Sequence, residues 1–356
     1  MSNVAENIIK VLVIDDSAFM RKVISDILNS DVGIEVIETS KNGSDALEKL
    51  KGLHPDVITL DIEMPVMDGL TCLKELLKIK YVPVVMLSSL TKEGADDTIK
   101  ALEDGAVDFI TKPTNIFQMS GDQKKQELIE KVKIAAITTR VQRDLQKEIR
   151  INPKKDVVAH QQIKHIVAIG TSTGGPRALQ DVIPIIPGNA PAAYLVVQHM
   201  PPGFTKSLAE RLNSMSEVTV KEAEDNEAIK AGFVYIAPGD YHMLVEKSHL
   251  GKLTIKLSQS PPVGAHRPAV NVMMESLSNT GLTNIIGVIM TGMGGDGSEG
   301  IKKIKNINKG YIIAQDEESC TVFGMPKVAI QTGAVDVVVP LKEITKEIMK
   351  IVGVQI

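Results

Sequence analysis

The sequence predicts two α/β domains in tandem. The first has a five-stranded parallel sheet, and the second has a doubly wound, mostly parallel sheet with a small antiparallel insertion. Its length of 356 residues suits two domains of ordinary size. Short Val- and Ile-rich runs alternate with helical patterns in both halves, as in sheets that helices cover on both faces. A polar stretch with a helix-breaking Asn152-Pro153 separates the halves.

In the first half, residues 10–113 contain five apolar runs that are short enough for buried strands. Between them, apolar residues recur at the i, i+3, i+4 spacing of amphipathic helices, as in Met20–Leu28 and Leu70–Leu77. We therefore expect parallel strands joined by helical crossovers. The strands are predicted at Val11–Ile14, Ile34–Ile37, Val57–Leu60, Val84–Leu87 and Val107–Ile110.

The segment 123–150 is rich in charged residues and predicts the last helix of the first domain, continuing into a linker. We place the first domain at 8–127, a helical and polar linker at 128–162, and the second domain at 163–356. The second domain starts and ends with strand–helix alternation and has strand-like pieces between. Its elements are predicted at His165–Ile169, Ala178–Ile186, Leu195–Val197, Phe204–Leu212, Val218–Val220, Phe233–Ile236, Met243–Val245, Leu253–Leu257, Ile285–Met290, Ile301–Ile307, Tyr311–Ala314, Val328–Thr332, Val335–Val339 and Ile344–Val352.

Composition excludes several classes of protein. A net charge of −4 gives no general attraction to nucleic acid or to anionic membranes. Cys72 and Cys320 lack metal-ligand spacing and are expected to be reduced thiols. There is no signal-type segment, and no apolar stretch approaches the ~20 residues that span a bilayer. We therefore expect a cytoplasmic protein without membrane insertion.

Five polar residues follow the predicted strands of the first domain: Asp15, Asp16, Asp61, Ser88 and Lys112. Since the carboxyl ends of parallel strands share one edge, these side chains should converge. Three carboxylates suit Mg²⁺, and a carboxylate can attack phosphorus to form an acyl phosphate. The lysine would neutralise the transferred group, and the serine could sense it. Singly, each Asp could be a helix cap or a solvated loop residue, but together the five favour a phosphorylation site.

Residues 8–125 resemble the receiver domains of two-component response regulators. The resemblance lies in the segments VLVIDDSAFMRK, TLDIEMPVMDG, VVMLSSLT and GAVDFITKP. It implies a flavodoxin-like fold with strand order 2-1-3-4-5 and phosphorylation of Asp61 by a histidine kinase. It also implies a Mg²⁺ site made by Asp15, Asp16, Asp61 and the backbone carbonyl of Glu63, with Ser88, Phe109 and Lys112 as the switch residues. Phe109 stands where many receivers have Tyr.

In the second half, Gly170–Gly174 fits G-x-S-x-G between a strand and a helix, and so presents Ser172 on a sharp turn. Ser172 could instead be a helix N-cap. His199 and Asp296 also follow predicted strands, so all three can meet at one sheet edge. Singly, His199 could be structural and Asp296 a turn residue. Jointly they supply the base and the orienting acid that a serine nucleophile needs.

A competing motif overlaps this site. Gly292–Gly297 matches G-x-G-x-x-G, and Asp316 follows a further strand at the distance expected of a dinucleotide-binding fingerprint. The same glycines equally serve a loop that brings Asp296 and a backbone N–H to Ser172, which we favour. The order Ser, His, Asp differs from that of α/β-hydrolases and indicates a different scaffold.

Nearly the whole chain resembles the chemotaxis response regulator protein-glutamate methylesterases (CheB). The second-half segments that carry the resemblance are GTSTGGP, VVQHMPPGF, YIAPGDYHM, HRPAVNVMMES and GVIMTGMGGDG. It implies hydrolysis of glutamate γ-methyl esters on chemoreceptors and deamidation of receptor glutamines. Ser172 would be the nucleophile, His199 the base and Asp296 the orienting acid, with the N–H groups of Thr173 and Met293 as oxyanion donors. No cofactor is expected for the hydrolytic step.

Two other classes were weighed. A phosphorylation-controlled binding module would use the glycine-rich edge without chemistry, and a Ser172→Ala variant would then keep its function. A transcription factor lacks support, because the second half has no compact helix-turn-helix pattern with a basic helix.

Overall fold

The computed structural model describes residues 8–79, 81–112, 122–138 and 162–355. The chain divides into two compact units, 1–140 and 141–356. Most of the predicted linker lies outside the described residues, so the domain limits 8–127, 128–162 and 163–356 stay a prediction. Within the described ranges, no helix is both long enough and apolar enough to cross a membrane.

The first unit is a five-stranded sheet in the order β2-β1-β3-β4-β5, and every neighbouring pair is parallel. The predicted fold and strand order are therefore confirmed. Its strands are β1 (Ile9–Ile14), β2 (Ile34–Ser40), β3 (Val57–Asp61), β4 (Val84–Ser88) and β5 (Asp108–Thr111). The described helices are α1 (Ala18–Asn29), α2 (Gly43–Lys49), α3 (Gly69–Ile79), α4 (Lys92–Asp104) and α5 (Asp122–Ile137).

Local sequence explains where these elements begin. Side chains that prefer N-cap positions start three helices: Ser17 accepts from Met20 N, and Asn42 and Thr91 act similarly. The central strands are rich in Val, Ile and Leu and are buried over most of their length, as expected of a parallel sheet covered on both faces. Helix α5 belongs to this core, because its Leu128, Ile129, Val132 and Ala135 pack with residues of the sheet.

The second unit has a seven-stranded parallel sheet in the order β14-β13-β12-β6-β7-β9-β8, and a separate antiparallel hairpin, β10–β11. Its strands are β6 (His165–Thr171), β7 (Ala192–Gln198), β8 (Thr219–Glu222), β9 (Phe233–Ile236), β10 (His242–Lys247), β11 (Leu253–Ser258), β12 (Ile285–Ile289), β13 (Tyr311–Gln315) and β14 (Val337–Val339). Its α-helices are α6 (Gly175–Val182), α7 (Phe204–Met215), α8 (Val270–Ser278), α9 (Ser298–Asn308), α10 (Met325–Gln331) and α11 (Ile344–Val352).

The predicted combination of a mostly parallel sheet and a small antiparallel insertion is confirmed. The antiparallel part is smaller than the strand-like pieces suggested, because β8 and β9 join the main sheet as parallel strands. Strands β7, β6 and β12 are neighbours at the centre of this sheet. The carboxyl ends of these three strands therefore lie side by side at one edge of the sheet, where side chains from different strands can meet.

Candidate functional site

Ser172 lies on the turn between β6 and α6. The N-cap of α6 is Gly174, with φ of +75°, and no side chain caps this helix end. The interpretation of Ser172 as an N-cap is therefore wrong. Position 175 in this turn requires glycine, because a Cβ there would lie 2.0 Å from Oε1 of Gln198. The backbone bends sharply and leaves Ser172 at the sheet edge.

Ser172, His199 and Asp296 meet as a chain of hydrogen bonds. His199 Nδ1 lies 3.2 Å from Ser172 Oγ, and His199 Nε2 lies 2.8 Å from Asp296 Oδ2. The side chains of His199 and Asp296 are 8% and 9% exposed, so the contact between them is largely dry. The arrangement has the nucleophile–base–acid order that activates a serine.

The carboxylate of Asp296 is held by the first turn of α8. Val270 N donates to its Oδ2 at 2.6 Å, and Asn271 N donates to its Oδ1 at 2.9 Å. Burial raises the pKa of Asp296, but the hydrogen bonds from His199, Asn271 and Val270 outweigh burial and bring that pKa below 3.8. Asp296 is therefore ionised at neutral pH and can orient a neutral or protonated imidazole.

Gln198 connects the backbones of Ser172 and His199 and was not singled out from the sequence. Its Nε2 donates to the carbonyl oxygens of Ser172, at 3.0 Å, and of His199, at 3.2 Å. The residue is 2% exposed. As the last residue of a Val-rich strand it gave no sign of a functional role in the sequence.

Asn271 and His266 were also missed. Asn271 Oδ1 accepts from Gly297 N and Gly300 N, which ties the loop carrying Asp296 to α8. The ring of His266 stacks on that of His199, with centroids 3.8 Å apart and planes inclined by 8°. Both residues come from segments that sequence periodicity does not connect to the sheet edge.

The loop after β12 runs beside Ser172. A Cβ on Gly292 would lie 2.8 Å from Ser172 Cβ, so a glycine is needed for this approach. Gly297, with φ of +96°, is the N-cap of α9. Asp316 instead accepts from Ser319 N and Oγ within its own turn. These contacts favour the loop's role at the triad over a dinucleotide fingerprint.

At the sheet edge of the first unit, Asp15, Asp16 and Asp61 place carboxylate oxygens within 4.8 Å of one another. Lys112 Nζ lies 2.8 Å from Asp15 Oδ2 and 2.6 Å from Asp61 Oδ2. Lys112 contacts two of the three carboxylates, and three carboxylates against one ammonium make a negative cluster that fits a hard divalent cation with oxygen ligands. The convergence predicted for these residues is present.

Burial sets the protonation of this cluster. It raises the pKa of Asp61 to about 6, although Lys112 acts in the opposite direction. Burial alone would lower the pKa of Lys112, but Asp61 and Asp15 outweigh it and raise that pKa above 10.5. Lys112 is therefore a permanent cation between two carboxylates.

The remaining switch candidates, Ser88 and Phe109, lie on strands β4 and β5. Buried Ser88 donates to Gly94 O at 3.0 Å and accepts from Thr98 Oγ1 at 2.7 Å, both on α4. Phe109 is buried, and Lys131 Nζ of α5 lies 5.1 Å from its ring centroid. Glu63 N donates to Asp61 Oδ1 at 3.3 Å, which places its backbone beside the carboxylate.

Comparisons with known proteins agree with this geometry. Residues 167–348 match the family model described as CheB methylesterase, and residues 11–121 match the response regulator receiver domain. A protein-glutamate methylesterase/protein-glutamine glutaminase from Syntrophomonas wolfei is 48% identical over 96% of this chain and 98% of its own length. One from Archaeoglobus fulgidus is 50% identical over 98% and 99%. The crystal structure of the Thermotoga maritima CheB methylesterase catalytic domain, 50% identical, covers 52% of this chain and 97% of its own, with a TM-score of 0.51.

Proposed function

The chain belongs to the CheB methylesterase family, with a response regulator receiver domain, and we propose that it uses Ser172 to hydrolyse glutamate γ-methyl esters of chemoreceptors. The observation that carries this proposal is the hydrogen-bonded series Ser172–His199–Asp296. Its relatives are named for methylesterase and glutaminase activities.

The two ring nitrogens of His199 face different partners, and this determines which nitrogen accepts the proton of Ser172. Asp296 accepts from Nε2–H, so the lone pair of Nδ1 faces Ser172 Oγ. Nδ1 takes the hydroxyl proton while Oγ attacks the ester carbonyl. The tetrahedral intermediate then collapses, and methanol leaves with the proton from Nδ1. Water hydrolyses the acyl-enzyme by the same route, and the glutamate carboxylate and Ser172 are regenerated.

The developing oxyanion needs donors beside Ser172. We assign this role to the backbone N–H groups of Thr173 and Met293. Thr173 directly follows Ser172 and precedes Gly174, the N-cap of α6, and Met293 follows Gly292, which packs against Ser172. A helix N-terminus adds partial positive charge in the same place. Glutamine deamidation would use the same residues, with ammonia as the leaving group.

The first unit supplies control. We assign phosphorylation to Asp61, with a histidine kinase of the sensory pathway as donor. Asp15, Asp16, Asp61 and the backbone carbonyl of Glu63 would hold Mg²⁺, because the cluster has more negative charge than Lys112 balances. The ion would neutralise charge on the transferred phosphoryl group. Lys112 would pair with that group and Ser88 would sense it, and phosphorylation is expected to raise hydrolase activity.

A Ser172→Ala variant tests the proposal directly. With methylated receptor membranes, the variant should bind as the wild type does and release no methanol. Methanol release at the wild-type rate from the variant would contradict the assignment of the nucleophile and favour chemistry elsewhere on the chain.

A further inference from the structure

We infer that His266 is a positioning residue for the catalytic base. Its ring, stacked on that of His199, fixes the plane in which His199 meets both Ser172 and Asp296. This inference rests on the proposed function, in which His199 transfers the proton of Ser172.

The two hydrogen bonds to the ring of His199 leave that ring free to tilt in one direction. Ser172 and Asp296 both contact nitrogens of the His199 ring, on its edge. Such bonds fix where the nitrogens lie but resist only weakly a tilt about the line that joins them. A second flat ring at a centroid distance of 3.8 Å and an angle of 8° contacts the whole face and resists that tilt.

The turn that carries His266 is held in a costly conformation. Val263 and His266 exchange two backbone hydrogen bonds of 3.0 Å around Gly264 and Ala265. Gly264 has φ of +58° and Ala265 has φ of +67°, the pattern of a type I′ turn. An alanine in this region costs about 1–2 kcal/mol. Strain of this kind persists where the surroundings impose it and is concentrated at functional sites.

The residue after His266 anchors the turn. Arg267 donates through Nε and Nη2 to Asp240 Oδ1, at 3.1 and 2.5 Å, and its Nη1 donates to the carbonyls of Gln259 and Ser260. Asp240 N donates in return to Arg267 O at 3.2 Å. These contacts fix the chain at Gln259 and Ser260, before the turn, and at Arg267, after it. The protein itself therefore positions the residue that carries the stacked ring.

The stack also suits the chemistry. His199 becomes an imidazolium each time it takes the proton of Ser172. The ring has to keep its plane in both its neutral and its protonated form. A flat neighbour in face-to-face contact supports that plane, which an aliphatic side chain of similar volume would do less well.

The test compares three substitutions on the full-length, phosphorylated protein acting on methylated receptor membranes. His266→Ala should lower kcat by about 10- to 100-fold, the scale of losses from small misplacement of catalytic groups, with KM changed less than about twofold. His266→Phe keeps a flat face and should recover kcat to within about threefold of wild type. His266→Gln keeps polarity without the ring and should stay as slow as His266→Ala.

His249→Ala is the matched control, because it removes an exposed histidine from the turn between β10 and β11 and should keep wild-type kcat. Thermal denaturation of each variant checks folding. If His266→Ala is unfolded, the kcat of His266→Phe compared with that of His266→Gln tests the inference. Wild-type kcat in His266→Ala, or faster turnover in His266→Gln than in His266→Phe, would overturn the inference. If instead Ser172→Ala keeps its activity, the proposed function itself fails. This outcome is distinct from wild-type kcat in His266→Ala, which overturns only the role of His266.

Discussion

Asp296 accepts a hydrogen bond from His199 Nε2, 2.8 Å away, which leaves Nδ1 of the same ring for the hydroxyl of Ser172. In the chymotrypsin triad the two nitrogens have the opposite roles. The functional requirement is the same in both cases, because the carboxylate fixes the tautomer whose lone pair faces the nucleophile.

Asp296→Asn should therefore lower kcat by about 10³- to 10⁴-fold, because an amide that donates to Nε2 would place the proton on Nδ1. The measurement is the rate of methanol release by the phosphorylated protein. Glu299→Gln, an exposed change three residues away, should keep wild-type activity as a control. An Asp296→Asn variant with more than about a tenth of wild-type kcat would contradict the assigned tautomer.

Gln198→Met should weaken both catalysis and stability. The substitution keeps the volume but removes two donated hydrogen bonds, to Ser172 O and His199 O, inside a buried site. We expect a loss of about 1–3 kcal/mol in the free energy of unfolding and about a tenfold fall in kcat. Denaturant titration and methanol release measure the two effects. Gln331→Met, at an exposed position, should change neither; wild-type kcat in Gln198→Met would show that the link is not needed.

Asp61→Asn should stabilise the protein at pH 7 in the absence of Mg²⁺. The pKa of Asp61 is raised from 3.8 to about 6, so the folded state binds its proton more tightly than the unfolded state. That contribution to stability is complete below about pH 4 and is lost as the pH rises through about 6. Calorimetry in EDTA should show a gain of up to about 3 kcal/mol at pH 7 that vanishes near pH 4. If Asp61→Asn has a lower free energy of unfolding than the wild type at pH 7, then burial does not destabilise the charged form of Asp61 as we assign.

Ser88→Ala should separate phosphorylation from activation. The hydroxyl of Ser88 contacts Gly94 and Thr98 on α4, and a phosphoryl group on Asp61, one strand away, would compete for it. The variant should take up labelled phosphate from a small phosphodonor yet show a smaller rise in methanol release. Asp61→Asn, which should take up no phosphate, is the control. An undiminished rise in Ser88→Ala would exclude this hydroxyl as the sensor.

Much of the site could be predicted because it obeys the rule for parallel sheets. Ser172, His199 and Asp296 each follow one of three adjacent central strands, β6, β7 and β12, so their order along the sequence is enough to bring them together. In the same way, Asp15 follows β1 and Asp61 is the last residue of the adjacent strand β3. Here the apolar runs locate the strand ends, and the shared edge of a parallel sheet brings the side chains together.

The supporting residues could not be predicted, for a physical reason. His266 lies in an irregular loop whose path depends on the Arg267–Asp240 pair and not on any period in the sequence. Gln198 ends an apolar strand and shows its role only once the turn at Ser172 is packed against it. Periodicity likewise identified β8 and β9 as strands but carried no information on their partners, so their place in the main parallel sheet could not be predicted.

The most direct test of the account is methanol release from methylated receptor membranes by the wild type and by Ser172→Ala, each with and without a phosphodonor and Mg²⁺. The account predicts release that requires Ser172 and rises with the phosphodonor. No release from the phosphorylated wild type, or release that Ser172→Ala retains, would contradict the assignment of Ser172–His199–Asp296 as a phosphorylation-controlled esterase site.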